Sequence, residues 1–327
     1  MNALTDRRSG LRRSGLLATG LVLLALVFGC APQYAPTPLP QAPPSTTLQR
    51  IPPAAQDCDD ATTSYDPADR APTVEEFASS PRLQQIRERG RLIAGVSGDT
   101  YLLGARNPAT GAIEGFDIDM VKAIAKAIFG DETKYQLRVI TAADRIPVLQ
   151  ERDVDIVVRA MTMTCDRWEE VAFSGVYYNA GQKVLAKQAS GITSVPELAD
   201  RTVCAPNGTS SIDNLLRRVP DARLVPADNH TGCLRLFQSG VVDAITGDDT
   251  VLAGLAAQDP YASVLPGEAF SAEPYGIAVN SEDVEFATFI NARLDQMRGN
   301  GEWQASYDRW LAPTLGKATP PTAEYGR

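Results

Sequence analysis

Several polar side chains stand where they could bind an anion. Arg159 interrupts the otherwise apolar run 155–160, and a buried guanidinium is costly unless it is paired or faces a cleft. Thr209 and Ser210 lie at the predicted start of a helix, where unpaired main-chain N–H groups attract negative charge. Plainer interpretations exist: Arg159 could form a salt bridge at a strand end, and Thr209 and Ser210 could simply cap the helix.

Residues for covalent or metal chemistry are scarce. The chain has one histidine, His230, which disfavours histidine-rich metal sites and Ser-His-Asp arrangements. No nucleophile–base pair is visible, and the candidate acids fit solvated faces, namely Glu114, Glu151, Glu169 and Glu170. The net charge of -9 argues against nucleic acid, because phosphate binding needs a basic face. We therefore predict a protein without metal or cofactor that is not an enzyme.

The first thirty residues have the pattern of an export signal. Paired arginines precede an apolar run of 13 residues, Leu16–Phe28, which is short for a membrane span and predicts a signal peptide over residues 1–29. Val27-Phe28-Gly29-Cys30 resembles the bacterial lipobox, which would make Cys30 the lipidated residue and anchor the protein to the outer face of the cell membrane. The alternative is an ordinary signal peptide followed by an unrelated cysteine. Residues 30–75 are rich in proline and predict an extended stalk.

Four further cysteines follow Cys30. In an exported chain an even number predicts two disulfides, for which three pairings exist. We prefer Cys204–Cys233, which lies within one compact stretch, and Cys58–Cys165, which would fix the end of the stalk to the body. Some of these cysteines could instead be buried free thiols.

The body alternates short apolar runs with helical patterns, which predicts an α/β fold of mostly parallel sheets with flanking helices. The alternation starts near residue 91 and restarts near residue 202, which favours two similar lobes. Strand-like segments at 182–187 and 275–279 would cross between them as a hinge, so that the cleft between the lobes becomes the natural ligand site. The predicted bounds are 76–185 plus 275–318 for lobe 1, 186–274 for lobe 2 and 319–327 for a tail.

The body contains a series of short motifs, each present once and in a fixed order along the chain. Its main members are Gly115-Phe116-Asp117-Ile118-Asp119, Met161-Thr162-Met163-Thr164, Cys204-Ala205-Pro206-Asn207-Gly208-Thr209-Ser210 and Asp243-Ala244-Ile245-Thr246-Gly247-Asp248. Over about residues 85–315 the ordered set resembles the polar amino-acid-binding proteins of ABC importers, solute-binding protein family 3. In style it is similar to the glutamate/glutamine-binding lipoproteins of high-GC Gram-positive bacteria. The resemblance implies a type II periplasmic-binding-protein-like fold that closes over a free amino acid.

The resemblance also implies roles for residues that match the family's motifs. Arg167 would bind the α-carboxylate of the ligand with its guanidinium, assisted by the hydroxyl of Thr162 and by Thr209 and Ser210. The α-ammonium would be bound by the carbonyl of Ala160 and the carboxylate of Asp248. The alternatives are a solvated arginine, an ordinary strand-end threonine and an aspartate that only caps a helix.

Selectivity for the ligand's side chain is assigned to other residues. Asp144-Arg145-Ile146-Pro147 resembles a stretch of members that bind acidic amino acids, in which the arginine reaches the distal carboxylate. Arg159 is a second candidate for that role, whereas Arg145 could also be a surface helix residue. Ser97 and Asp99 stand where the family carries a polar residue after the first strand, and they complete the predicted site.

We therefore predict a monomeric, lipid-anchored binding protein that captures glutamate or aspartate, or their amides, and delivers it to an ABC permease. A sensor that signals through a membrane partner would need the same cleft and the same closure. Some relatives of this fold are dehydratases, but such chemistry needs an acid placed near a leaving group, and no such arrangement is evident.

Overall fold

The structure, a computed structural model, describes residues 58–67 and 80–327. The predicted signal peptide, the predicted lipidation site Cys30 and most of the predicted stalk lie outside these residues. Across the two described ranges, no helix combines the length and apolarity needed to cross a membrane.

Short strands alternate with helices along the described chain. The strands are β1 (Thr63–Ser64), β2 (Leu92–Val96), β3 (Asp99–Thr100), β4 (Gly104–Arg106), β5 (Ile113–Glu114), β6 (Tyr135–Val139), β7 (Ile156–Val157), β8 (Val171–Phe173), β9 (Tyr178–Lys187), β10 (Thr202–Pro206), β11 (Arg223–Ala227), β12 (Ala244–Asp248), β13 (Ala262–Val264), β14 (Ser271–Tyr275), β15 (Ala278–Asn280) and β16 (Glu324–Tyr325). The helices are α1 (Pro81–Arg89), α2 (Phe116–Phe129), α3 (Pro147–Gln150), α4 (Cys165–Trp168), α5 (Ser210–Arg218), α6 (His230–Gln238), α7 (Asp249–Ala256), α8 (Val284–Asn300), α9 (Glu302–Trp310) and α10 (Ala312–Leu315), with a 3-10 turn at Val195–Leu198.

Lobe 1 is built on a five-stranded sheet with the order β6-β2-β7-β15-β8. Strand β2 pairs in parallel with β6 and β7, whereas β15 runs antiparallel to β7 and β8. Neighbouring residues of β7 belong to different cores, Ile156 to one and Val157 to the other. Both faces of the sheet are therefore covered, as the nearly continuous apolar strands predict.

Lobe 2 is built on a six-stranded sheet with the order β11-β10-β12-β9-β13, in which β14 also pairs with β9. Strand β10 is parallel to β11 and β12, and β9 is antiparallel to β12. Val203 and Cys204 contribute to two different apolar clusters, so this sheet is also covered on both faces.

Two connections join the lobes. Strands β9 and β14 run side by side and antiparallel, with Tyr178 opposite Tyr275. The predicted strand 275–279 is divided in two, since Tyr275 belongs to the sheet of lobe 2 and Ala278 pairs with β7 and β8 in lobe 1. The chain changes sheet at Gly276, where an added Cβ would lie 2.7 Å from Cγ of Met163.

Two glycines determine how the long helix α2 begins and ends. Gly115 has φ 142°, and a Cβ there would lie 2.3 Å from the carbonyl oxygen of Leu103. At the other end, Gly130 takes a left-handed conformation (φ 71°) that ends the helix. The helix thus starts directly before Asp117, whose side chain is buried.

The predicted strand at 155–160 is shorter than expected. Only Ile156–Val157 forms a ladder, and Ala160 has φ 43°, which is uncommon for a residue with a side chain. The carboxylate of Asp117 accepts a hydrogen bond from the main-chain N–H of Ala160 at 3.1 Å. This contact, made across 43 residues of sequence, stabilises the turn and is not visible in a local pattern.

Both preferred disulfides, Cys58–Cys165 and Cys204–Cys233, are present. Residues 58–67, which the sequence assigns to the stalk, pack against lobe 1 instead. Ser64 is fully buried, and β1 pairs in parallel with β16 from the predicted tail. The prediction of a solvated stalk therefore does not hold for these residues, because the disulfide and the terminal strand attach them to the body.

Candidate functional site

The predicted binding residues converge between the lobes. Apart from Arg167 and Asp99, all of them line one cleft. Lobe 1 contributes Ser97, Arg145, Arg159, Ala160 and Thr162, and lobe 2 contributes Thr209, Ser210 and Asp248. Six further lining residues were not assigned to the site from the sequence, and two of them, Asp117 and His230, are titratable.

The two lobes approach each other closely at two places. Gly208 of lobe 2 has φ 73°, and a Cβ there would lie 2.7 Å from Cα of Ala143 in lobe 1. Gly254 on α7 approaches lobe 1 as closely, since a Cβ added there would lie 2.7 Å from the carbonyl oxygen of Tyr101. The conformation is therefore a closed one, and the two glycines permit the close approach.

Arg145 is a buried brace between the lobes. Its guanidinium donates to the carbonyl oxygens of Ala142 (2.9 Å), Ala160 (3.0 Å) and Arg159 (3.3 Å) in lobe 1. It also donates to the carbonyl oxygen of Gly208 in lobe 2 at 2.8 Å. These hydrogen bonds all go to main-chain acceptors, so most of its donors are already used in this conformation.

Arg159 lines the same cleft with more of its donors open. Of its N–H groups, only Nε makes a hydrogen bond to a described residue, to the carbonyl oxygen of Ile140 at 2.9 Å. The side chain is buried, so the remaining donors need partners in the cleft. The interpretation of Arg159 as one half of a strand-end salt bridge finds no ion pair among the described residues.

Arg167 lies beside the cleft and not inside it. It lines a neighbouring groove that shares Thr162, Thr209 and Ser210 with the cleft. Its Nη1 donates to the carbonyl oxygen of Thr162 at 2.6 Å, and Nη2 to that of Gly208 at 3.3 Å. The guanidinium therefore stands at the seam of the two lobes, next to the predicted carboxylate donors.

Glu273 on β14 connects the hydroxyl groups of the site. Its Oε2 accepts hydrogen bonds from Thr162 of lobe 1 and Ser210 of lobe 2, both at 2.6 Å. Its Oε1 accepts from Asn214 at 2.6 Å and Ser271 at 2.8 Å. The sequence offered no indication of this role, because Glu273 stands in the connection between the lobes and matches none of the quoted motifs.

Asp248 ends β12 with one carboxylate oxygen occupied and one free. Oδ2 accepts a hydrogen bond from the hydroxyl of Tyr275 at 2.6 Å. Oδ1 is buried and has no hydrogen-bond partner among the described residues. Burial and the neighbouring charge of Glu273 raise the pKa of Asp248 to about 8. A cation placed at Oδ1 would lower that pKa and satisfy the free oxygen.

Asp117 accepts hydrogen bonds from residues that surround the cleft. Besides the N–H of Ala160, it accepts a hydrogen bond from the hydroxyl of Tyr177 at 2.8 Å. Burial raises the pKa of Asp117 to about 6, although these hydrogen bonds favour its charged form. The motif Gly115-Phe116-Asp117 resembles a family motif, but no local pattern indicates that its carboxylate reaches Ala160.

His230 is the clearest site residue that sequence reasoning missed. It begins α6, lines the cleft and hydrogen-bonds the main chain of Thr246. Nε2 has no partner within the described part of the chain, which assigns the main-chain bond to Nδ1–H. Burial and the charge of Arg159 lower the pKa of His230 to about 3, so the imidazole stays neutral and Nε2 is an acceptor. Its being the sole histidine was the only available signal.

The remaining predicted residues have structural partners. The hydroxyl of Ser97 donates to Oδ1 of Asp99 at 2.9 Å and lies 2.7 Å from the hydroxyl of Thr100. Asp99 therefore stands behind Ser97 and outside the cleft lining. Thr209 donates to the carbonyl oxygen of Pro206 at 2.7 Å and stands at the N-cap of α5. No cluster of three His, Cys, Asp or Glu side chains suited to a metal occurs in residues 58–67 or 80–327.

Comparison with known proteins agrees with this geometry. Residues 92–313 match the family of bacterial extracellular solute-binding proteins, family 3. The chain belongs to this family. It is 40% identical over 230 residues to the ABC transporter glutamine-binding protein of Bacillus subtilis (strain 168), covering 70% of this chain and 84% of that protein. The predicted family is confirmed.

More distant relatives extend the comparison. The chain is 28% identical over 241 residues to a glutamate-binding protein of Corynebacterium efficiens, covering 70% of this chain and 80% of that protein. A crystal structure of a solute receptor for L-cysteine from Neisseria gonorrhoeae superposes with a TM-score of 0.68 at 26% identity, covering 72% of this chain and 95% of that one. The predicted two-lobed α/β fold is confirmed by this likeness.

Proposed function

We propose that this family 3 solute-binding protein binds a free polar amino acid of the glutamine/glutamate class between its lobes. The observation that carries the proposal is the bipolar lining of the cleft. Asp248 offers a buried, unpaired carboxylate oxygen, and Arg159 offers open guanidinium donors. A zwitterionic ligand satisfies both, since its ammonium pairs with the carboxylate and its acceptor groups meet the donors. The named binding activities of the Bacillus and Corynebacterium relatives support this class.

The α-amino and α-carboxylate groups are assigned to the seam of the lobes. The ammonium would lie at Oδ1 of Asp248. The carboxylate would meet Arg167, helped by the N-terminus of α5 at Thr209 and Ser210. Arg167 now donates to two carbonyl oxygens, both of which lie at the seam and would be exchanged for the stronger, charged acceptor.

The groups left for the ligand's side chain favour a carboxamide over a carboxylate. Arg159 supplies donors, whereas Nε2 of His230 supplies an acceptor. A carboxamide has both a carbonyl oxygen for Arg159 and an N–H for His230, but a carboxylate would face the lone pair of Nε2. We therefore place glutamine ahead of glutamate, and we assign Arg145, predicted to bind a distal carboxylate, to bracing the two lobes.

Calorimetric titration with glutamine, glutamate, asparagine and aspartate tests these assignments. Arg167→Ala should weaken all ligands by roughly a hundredfold or more, because the α-carboxylate loses a charged partner in a buried site. Arg159→Met and Arg145→Met form a matched pair. The first should lower the affinity for glutamine roughly tenfold, and the second should weaken every ligand alike. Absence of binding to all four amino acids would overturn the proposed function. A preference for glutamate over glutamine would instead show that the ligand's side chain meets a cationic site, and it would contradict the proposed acceptor role of His230.

Delivery and anchoring complete the proposal. We infer that Cys30 carries the lipid anchor and that the loaded protein delivers its ligand to an ABC importer, as the lipobox and the named activity of the Bacillus relative suggest. Cys30→Ala should move the protein from the membrane fraction to the soluble fraction. Equal membrane association of the variant and the wild type would contradict the anchor. Loss of glutamine uptake on deletion of the gene would support delivery over a purely sensory role.

A further inference from the structure

The two ends of the described chain meet beside the helix that carries Arg167. We define the terminal clamp as residues 58–67 together with residues 323–327. Both segments lie outside residues 92–313, the part that matches the family. They pair through β1 and β16, with Thr63 opposite Glu324 and Ser64 opposite Tyr325. The clamp therefore lies outside the part of the chain that the family match covers.

The helix that the clamp contacts is too short to be stable without contacts to the rest of the protein. Helix α4 has 4 residues, a single turn, and isolated helices of this length are not stable. Its own support is an N-cap bond, in which Thr164 Oγ1 accepts from the N–H of Arg167 at 3.3 Å. The position of Arg167 must therefore depend on what packs against α4.

The clamp contacts α4 at both ends. At the first residue, Cys165 is joined to Cys58 by the disulfide. At the last residue, Nε1 of Trp168 donates to the carbonyl oxygen of Ala61 at 2.8 Å. The guanidinium of Arg327 lies 3.9 Å from the centre of the Trp168 ring. Arg167 stands between these two attachment points.

The clamp is in turn fixed to the core of lobe 1. Ser64 is fully buried, and its hydroxyl donates to the carbonyl oxygen of Phe173 at 2.7 Å. Asn291 on α8 donates to the hydroxyl of Ser64 at 2.9 Å. Arg327 forms a salt bridge with Asp60 at 3.1 Å, which ties the two segments together. Movement of α4 is thus resisted by contacts that reach the interior.

We propose that the terminal clamp positions Arg167 for the ligand's carboxylate and so increases ligand affinity from outside the cleft. The proposal rests on the proposed function, because it needs Arg167 to contact the ligand. The clamp residues are positioning residues and touch no ligand themselves. Their removal should leave the two-lobed fold intact and loosen only the helix between Cys165 and Trp168.

The first test removes the disulfide in the full chain by Cys58→Ser/Cys165→Ser. Hydrogen exchange of the ligand-free protein should rise in residues 164–170, and glutamine affinity should fall roughly tenfold. Cys204→Ser/Cys233→Ser is the matched control, because it removes a disulfide from lobe 2 without touching α4. Its exchange should rise in α6 and remain unchanged at 164–170. Unchanged exchange at 164–170 in the Cys58 and Cys165 variant would overturn the proposal.

The second test is Arg327→Ala, which preserves the disulfide and should act in the same direction with a smaller loss of affinity. Arg327→Lys restores the cation over Trp168 and should recover much of that loss. If Arg327→Ala changes neither exchange nor affinity, the aromatic contact has no positioning role and the proposal fails for the C-terminal segment. This variant also keeps the proposal testable should the cysteine variant fail to fold.

A double-mutant cycle separates this proposal from the proposed function. With Arg167→Lys as background, removal of the Cys58–Cys165 disulfide should cost little further affinity, since both changes act through the same guanidinium. If the losses of affinity from the two changes are additive, the clamp does not act through Arg167 and the proposal is wrong. If Arg167→Lys itself binds glutamine like the wild type, the role of Arg167 in the proposed function is wrong, whatever the exchange measurement shows.

Discussion

The two lobes present opposite chemistry to the cleft. Lobe 1 carries the guanidinium groups of Arg145, Arg159 and Arg167, which donate to main-chain carbonyl oxygens, although Arg159 does so only through Nε. Lobe 2 carries Asp248 and His230, each with a buried polar atom that has no partner in the described chain. In lobe 1, Arg145 and Arg167 thus already make hydrogen bonds across the seam while Arg159 keeps open donors, whereas lobe 2 presents polar atoms without a partner.

This difference indicates where binding energy comes from. An unpaired buried acceptor costs free energy until it is satisfied, so a ligand that donates to lobe 2 recovers that cost. A ligand group that meets Arg145 or Arg167 in lobe 1 must instead replace existing hydrogen bonds, whereas Arg159 has donors open. We therefore expect substitutions of lobe 2 acceptors to have larger effects than substitutions of the bracing arginine in lobe 1.

The largest effect is expected at Asp248. Asp248→Asn should weaken glutamine binding by about 2–5 kcal/mol, because the ligand's ammonium would lose its carboxylate in a buried site. With a pKa of about 8, Asp248 is mostly protonated at pH 7, so binding of the ammonium should release a proton. Calorimetry in two buffers of different ionisation enthalpy measures that release, which Asp248→Asn should abolish.

The neighbouring aspartate supplies the control for that measurement. Asp249 begins α7, accepts from the N–H of Thr250 and lies outside the cleft lining. Asp249→Asn should bind glutamine within about threefold of the wild type. If Asp248→Asn binds glutamine as well as Asp249→Asn does, the expectation that the acceptors of lobe 2 dominate binding is wrong.

A smaller effect is expected where the lobes meet at Gly208. Gly208→Ala should impair closure, because its Cβ would lie 2.7 Å from Cα of Ala143 while φ stays at 73°. Gly191 is a matched control, since it has φ 74° and open space around a Cβ. Both variants should lose about 1 kcal/mol of stability, but only Gly208→Ala should lose roughly tenfold in affinity. Thermal unfolding and titration separate the two effects, and equal affinities would show that closure does not need this contact.

Burial of Asp248 also predicts a pH dependence of stability in the ligand-free protein. The folded pKa of Asp248, about 8, lies above its ordinary value of 3.8, so the folded state holds the proton over that range and the unfolded state does not. Stability should therefore fall as pH rises from about 4 to 8, by at most about 1.4 kcal/mol per pH unit for one group. Asp248→Asn should flatten this part of the curve in chemical denaturation.

His230 should act in the opposite direction at acid pH. Its folded pKa, about 3, lies below the ordinary 6.5, so the unfolded state binds the proton first as pH falls. Its contribution to stability is complete above about pH 6.5 and declines toward pH 3. A wild-type curve that keeps rising with pH from about 6.5 to 8, where His230 no longer contributes to the slope, would show that the carboxyl of Asp248 is not buried as described.

The sequence by itself determined the family and the two-lobed α/β fold, and it favoured the two disulfide pairings that the structure contains. These features depend on local periodicity, on the spacing of cysteines and on motifs whose residues lie close together in the chain. The same motifs located most of the cleft lining, because strand ends and helix starts bring their residues to one edge of each sheet.

Only the tertiary structure decided how those residues are used. Glu273 reaches Thr162 across 111 residues, and Asn291 reaches Ser64 across 227. Such contacts leave no local pattern, so neither the occupied donors of Arg145 nor the open acceptors of Asp248 and His230 could be foreseen. Burial also leaves no local pattern in the sequence. It shifts the pKa of a side chain, so the charge that the side chain carries depends on every element packed around it. The sequence places a side chain near the cleft, but the packing of distant segments decides whether it still has a free donor or acceptor there.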